Sequence, residues 1–196
     1  MTLLNSVAVF CGSSLGDSEI YRQSAQQIGK VLAEENIRLV YGGAAVGLMG
    51  AVADAVLDNG GQVTGVLPTF MAQKEIAHPH LTELVLVETM HQRKTKMSDL
   101  ADGFIALPGG MGTLEELFEI ITWAQLGLHT KPIGIFNADG FYNHLILMID
   151  KMVGAQFVSE TNRNRILIDD YPERLLQKMR DYQAPPVTRW LTNSRS

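Results

Sequence analysis

The sequence Phe104-Ile105-Ala106-Leu107-Pro108-Gly109-Gly110-Met111-Gly112-Thr113-Leu114-Glu115-Glu116 contains, in order, a short apolar run, a cluster of three glycines and the start of a segment with apolar residues at helical spacing. The order is therefore strand, turn, helix. Glycines at such a turn let the backbone take up positive φ and let a ligand approach main-chain N–H groups that a Cβ would shield. With the positive end of the helix dipole behind them, these N–H groups make a site for a phosphate or another anion. Thr113 to Glu116 also spell T-x-x-E, a capping box in which Thr113 bonds the N–H three residues on and Glu116 reaches back. A helix-start role for Glu116 thus competes with a chemical one.

Upstream, Val7 to Phe10 reads as a first strand, and Gly12-Ser13-Ser14 and Gly16 turn the chain toward a helix capped by Asp17 or Ser18. In that helix Tyr21, Ala25, Ile28 and Leu32 share one face. Arg38 to Tyr41 is a second strand that runs into the glycine turn Gly42-Gly43-Ala44-Ala45-Val46-Gly47 and a small-residue helix ending at Asn59-Gly60. Val63 to Leu67 is a third strand, stopped by Pro68. Thr69 to Thr82 reads as a loop over the strand ends, and Leu84 to Val87 as a short strand before a helix from Met90 to Ala101. Downstream of the central helix come a strand from Ile133 to Phe136, a helix from Phe141 to Met152, a short segment to Ile168 and a last helix from Pro172 to Tyr182.

Strands that alternate with helices specify a parallel sheet covered on both faces. The expected fold is a single-domain, Rossmann-like, doubly wound α/β sheet over residues 1–184, followed by a tail at 185–196. Ligands in such sheets settle at the carboxyl ends of the strands, near the point where strand order reverses. Both glycine turns are expected there. Neither has the dinucleotide spacing, and no G-x-x-x-x-G-K-[ST] occurs, so one nucleotide without redox or motor machinery is the simpler reading, with no cofactor.

The formal charge of −5 and the lack of a basic patch argue against nucleic-acid or membrane-surface partners, and any anionic ligand must be held by local groups. No apolar run approaches the roughly 20 residues a bilayer needs. One cysteine, Cys11, fits a reducing cytoplasm and reads as a small buried side chain. His78 and His80 flank Pro79 without further ligands in a metal-binding spacing, so no metal is expected.

Pro108-Gly109-Gly110-x-Gly112-Thr113-x-x-Glu116, with Met90-His91-Gln92-Arg93-Lys94 and with Tyr41-Gly42-Gly43 followed by Gly47-Leu48-Met49-Gly50, resembles the LONELY GUY family of cytokinin-activating phosphoribohydrolases, often mislabelled lysine decarboxylases. The resemblance runs from Val7 to the helix near Tyr182. One departure is Ala44, where the family pattern usually carries a third consecutive glycine.

The resemblance implies hydrolysis of the N-glycosidic bond of adenosine 5′-monophosphates, favouring N6-modified ones, with release of free base and ribose 5-phosphate. It implies Arg93 and Glu116 as catalytic residues. As substrate contacts it implies Glu75, Lys94, Gly109, Gly110, Met111, Gly112, Thr113 and Thr122, with Gly42 and Gly43 in the second turn. Physical chemistry agrees on the residue type: cleaving a glycosidic bond passes through an oxocarbenium-like state that a carboxylate stabilises. A glutamate in the first turn of a helix is expected to be held ionised by the dipole. Arg93 and Lys94 are adjacent, point about 100° apart on a helix, and otherwise read as a solvated basic pair.

The helix from Leu114 to Leu126 carries more apolar positions than one sheet buries. Its second surface meets either the chain's own last helices or a two-fold partner; the resemblance implies a homodimer with this helix at the contact. Two other functions compete: a nucleotide carrier or sensor without turnover, and lysine decarboxylation, which requires pyridoxal phosphate on a Schiff-base lysine.

Overall fold

The structure, a computed structural model, describes residues 3–72 and 77–186. Among these, seven parallel strands form one sheet: β1 (Ser6–Phe10), β2 (Arg38–Tyr41), β3 (Val63–Pro68), β4 (Glu83–Val87), β5 (Gly103–Ala106), β6 (Ile133–Phe136) and β7 (Ile166–Asp169). Their order across the sheet is β4-β3-β2-β1-β5-β6-β7. Val7 lies opposite Leu39 of β2 and Gly103 of β5, so β1 is the central strand from which the chain winds first one way and then the other.

The helices are α1 (Glu19–Glu34), α2 (Gly47–Asp58), α3 (Thr69–Ala72), α4 (Met90–Leu100), α5 (Met111–Gln125), α6 (Asn143–Gly154), α7 (Glu160–Arg163) and α8 (Pro172–Asp181). Alternate residues of one strand point to opposite faces. Val7 and Val9 accordingly pack with Ile28 and Leu32 of α1, Val52 of α2 and Met179 of α8. Ala8 and Phe10 pack with Met97 of α4, Ile120 and Ala124 of α5 and Ile149 of α6. The central strands are buried on both faces, as a parallel sheet requires, while the edge strand β4 stays partly exposed at Leu84 and Leu86.

The structure moves several boundaries. Ile166–Asp169, read only as part of a short segment, is the edge strand β7, paired with β6 from Ile133↔Ile166 to Phe136↔Asp169. Thr69–Ala72 is one helical turn inside the stretch read as loop. Helix α6 starts at Asn143, after a 3₁₀ turn at Ala138–Gly140 in which Asp139 has φ 49°. Helix α5 starts at Met111, three residues ahead of Leu114, with Gly110 as its N-cap. Residues 187–196, most of the expected tail, lie outside the described residues.

The reversal of strand order places the crevice between the carboxyl ends of β1 and β5. The loop after β5 is the first glycine turn. Its neighbour across the crevice is the Gly12–Asp17 loop after β1, and the Gly42–Gly43 turn after β2 lies one strand further out.

Candidate active site

Helix α4 sets the first half of the site. Thr89 caps it: its hydroxyl accepts from the Gln92 N–H at 3.1 Å while the Gln92 side-chain oxygen accepts from the Thr89 N–H at 3.3 Å and the Glu88 N–H at 2.8 Å. This is a capping box, and it stands at 89–92. The one expected at 113–116 does not form. Gly110 occupies the N-cap position without a side-chain bond, Thr113 is buried inside the helix, and a Cβ on Gly109 would collide with the Thr113 hydroxyl. With no cap to complete, Glu116 faces elsewhere.

It faces Arg93. The Arg93 Nη1 lies 3.3 Å from Glu116 Oε1, and Arg93 Nε donates to the Val66 carbonyl of β3 at 3.2 Å. The two side chains are only 10% and 13% exposed. Gly42 makes room for the pair, because a methyl group on it would overlap the guanidinium. Lys94, pointing away from Arg93, donates to Glu115 at 2.6 Å and to Glu119 at 3.0 Å. Two consecutive residues of α4 thus meet three carboxylates on α5, Arg93 one and Lys94 the other two.

Desolvating such ions costs several kcal/mol apiece, and buried pairs are often no more stabilising than apolar replacements. Arg93 and Lys94 also stand near the positive end of α4, where a cation is disfavoured. A buried ion pair such as Arg93–Glu116, whose desolvation offsets much of its attraction, points to chemistry. Burial is the strongest influence on Glu116 and holds its pKa above the ordinary 4.5; Arg93 and Lys94 pull it down, Glu115 and Glu119 push it up, and the net direction is upward. This corrects the expectation that the helix dipole favours the ionised form. Lys94 is lowered by burial, but its bonds to Glu115 and Glu119 outweigh that and raise it, so it carries its proton. Beneath the pair, Cys11 is buried, and burial followed by the Glu116 charge raises its thiol far above the usual range.

The two loops of the crevice touch through the backbone. Gly12 N donates to the Pro108 carbonyl at 3.0 Å, and Leu48 N, at the start of α2, donates to the Gly12 carbonyl at 3.0 Å. Beside this crossing lies a cavity of about 320 Å³ walled by Ser13, Ser14, Tyr21, Leu48, Gly110 and Phe141. Helices α2 and α5 both begin there without a side-chain cap; in α2 the Leu48 N–H is spent on Gly12, whereas the first turn of α5 leaves N–H groups for a ligand.

The structure therefore brings together Arg93, Glu116, Gly42 and the Gly109–Thr113 turn. Met111 and Gly112 are exposed in the first turn of α5. Gly43 follows Gly42 in the chain, and its carbonyl accepts from the His78 N–H at 2.9 Å, outside that group. Thr122 is exposed further along α5, its hydroxyl donating to the Phe118 carbonyl at 2.7 Å. Glu75 lies outside the described residues. Sequence reading missed Ser13 and Ser14 as walls of the crevice, although Gly12-Ser13-Ser14 ends the strand that proves central. It also missed Thr89-x-x-Gln92 as the cap that fixes α4.

Fold and site define a Rossmann-like α/β protein with an uncapped helix start at its switch point and a buried Arg–Glu pair alongside. Residues 49–179 match a family model described as "Possible lysine decarboxylase". The chain is 51% identical over 176 residues to the cytokinin riboside 5′-monophosphate phosphoribohydrolase LOG2 of Arabidopsis thaliana, covering 90% of this chain and 83% of that protein. It is 48% identical over 186 residues to the probable phosphoribohydrolase of the same description LOGL6 of Oryza sativa subsp. japonica, covering 93% and 74%. Among solved structures, the molybdenum cofactor binding protein of Rippkaea orientalis superposes with a TM-score of 0.68 at 19% identity over 92% of this chain and 98% of that one. The Moco carrier protein of Chlamydomonas reinhardtii gives 0.66 at 16% over 88% and 98%. At such identities these two share the fold alone. The chain belongs to the cytokinin riboside 5′-monophosphate phosphoribohydrolase (LOG) family.

Proposed function

We propose that this chain hydrolyses the N-glycosidic bond of adenosine 5′-monophosphates, N6-modified ones above all, to free base and ribose 5-phosphate. The observation that carries the reading is the buried Arg93–Glu116 contact on the helix that opens from the glycine turn. With the phosphate on the open N–H groups at Gly110 to Thr113, the ribose extends along α5 toward Glu116. Water is split across the bond: its oxygen joins C1′ as C1′–N9 breaks, and one proton goes to the departing base. Glu116, buried and raised in pKa, is suited to take a proton from that water and to face the cationic sugar. Arg93 orients it. Glu75 and Thr122 are further substrate contacts in this proposal.

The chemistry named in the family model's description requires a lysine that can give up its proton to form a Schiff base. Lys94, the lysine in the buried cluster, is held protonated by two carboxylates. A carrier or sensor would need the anion site but not a buried carboxylate beside it. Incubation of the protein with adenosine 5′-monophosphate and its N6-isopentenyl derivative, with chromatography for free base, tests the reading; binding without base release would contradict it.

A homodimer through α5 is part of the same proposal. Helix α8, one of the coverings left open by the sequence, packs on the opposite face of the sheet. Met111 and Leu126 are 85% and 63% exposed, with Leu114, Phe118 and Trp123 partly buried between them. A second copy is the simplest cover for that surface. Sedimentation at micromolar concentration should give a dimer that L126E disperses; a monomer would count against it.

A further inference from the structure

We infer that Lys94 is a positioning residue, which ties α4 to α5 through Glu115 and Glu119 and so holds Arg93 against Glu116, and that it does not bind the substrate phosphate. The inference rests on the proposed hydrolysis and assigns a role within that site.

The geometry is a pair of parallel braces. Arg93 and Lys94 diverge by about 100° on α4, and Arg93 reaches Glu116 at 3.3 Å while Lys94 reaches Glu115 at 2.6 Å and Glu119 at 3.0 Å. Glu115 and Glu119 are one helical turn apart on α5 and repel each other unless a cation stands between them. Lys94 is that cation. A shift of α4 by one residue along α5 would break both braces, so either one fixes the register of the other.

The charges decide against a phosphate role. Lys94 faces two carboxylates, and Arg93 faces Glu116, so the five side chains together carry more negative than positive charge. A dianion gains little near such a cluster. An ammonium has three N–H donors, and two are already used on carboxylates. Main-chain N–H groups at the uncapped start of α5 are left to hold the phosphate.

The same charges give a signature that simple loss of structure would not. Glu116 is faced by Arg93 and Lys94 from α4, by Glu115 and Glu119 from its own helix, and by Cys11 from just after β1. K94M removes a cation and raises the acid limb of kcat/KM, whereas E115Q/E119Q removes two anions and lowers it. Both loosen the brace.

The experiment measures four quantities on the wild type, K94M and E115Q/E119Q: base release, inorganic phosphate affinity, thermal midpoint and the pH profile. The expected result is a fall in kcat of roughly 10- to 100-fold in both variants, as for a displaced catalytic group. KM and the phosphate Kd stay within about two-fold, and the acid limbs shift in opposite directions. A rise of about ten-fold or more in KM and phosphate Kd for K94M overturns the inference, as does unchanged kcat in both variants. If K94M does not fold, E115Q/E119Q decides, because it releases Lys94 to serve a phosphate: tighter phosphate binding with kcat retained would refute the brace. Absence of base release by the wild type sinks the hydrolase reading by itself, and Lys94 is then judged on phosphate affinity alone.

Discussion

A methyl group on Gly42 would overlap the guanidinium of Arg93. The turn after β2 therefore contributes an absence of side chain, which lets an arginine from α4 cross the end of the sheet to Glu116 on α5. Gly42 is not among the glycines with positive φ, so alanine there meets no backbone strain. G42A should fold, with a thermal midpoint within a few degrees of the wild type, about 1 kcal/mol or less. It should lose roughly 10- to 100-fold in kcat/KM as the guanidinium is displaced. Steady-state kinetics beside a melting curve check both halves.

The pH dependence of turnover follows from Glu116. Burial raises its pKa above 4.5 and Arg93 pulls it back, so the acid limb of kcat/KM should lie above that of an ordinary glutamate. Removing the cation takes away the downward pull. R93M should move the limb to still higher pH, beyond whatever it costs in rate, and a limb moving down would show that Arg93 does not act on this carboxyl.

Asp169, at the end of β7, accepts from Arg174 Nε at 2.8 Å and from the Tyr171 N–H at 3.0 Å and pairs with Lys178 at 2.7 Å. Burial raises its pKa, but these donors outweigh burial and hold it well below 3.8. A depressed carboxyl adds stability above its unfolded pKa and loses it as pH falls through the folded value. D169N should therefore be less stable than the wild type at pH 7 and converge with it in strong acid. Urea unfolding at neutral pH and below about pH 3 measures the difference.

Cys11 sits buried under the Arg93–Glu116 pair with its thiol pushed up in pKa, so it is neither exposed nor ionised. An aromatic disulfide reagent should label the native protein orders of magnitude more slowly than the urea-unfolded chain. Rapid labelling of the native state would place the thiol elsewhere.

Much of the sheet is legible because its strands are short apolar runs bounded by glycine, proline and polar turns, as at Val7–Phe10 and Phe104–Leu107. β7 is not, since Ile166–Asp169 is four residues long, follows Arg165 and ends in an acid. The T-x-x-E at 113–116 misleads because local spacing describes a cap, while the helix begins three residues sooner at Met111 and Glu116 is drawn to a cation 23 residues away. The capping box that does form, Thr89 with Gln92, was visible in the same terms. What no local pattern reveals is that Lys94 spans to Glu115 and Glu119, or that Gly12 and Pro108 meet, because strand order across the sheet brings those segments together.

The central claim is that the carboxylate of Glu116 does chemistry and not capping, and E116Q addresses it most directly. Glutamine keeps the shape and a hydrogen-bonding oxygen for Arg93 while removing the proton acceptor. The account predicts a folded variant that still binds adenosine 5′-monophosphate, with release of free base reduced by about 10²- to 10⁴-fold. A folded E116Q that releases base at the wild-type rate would contradict it.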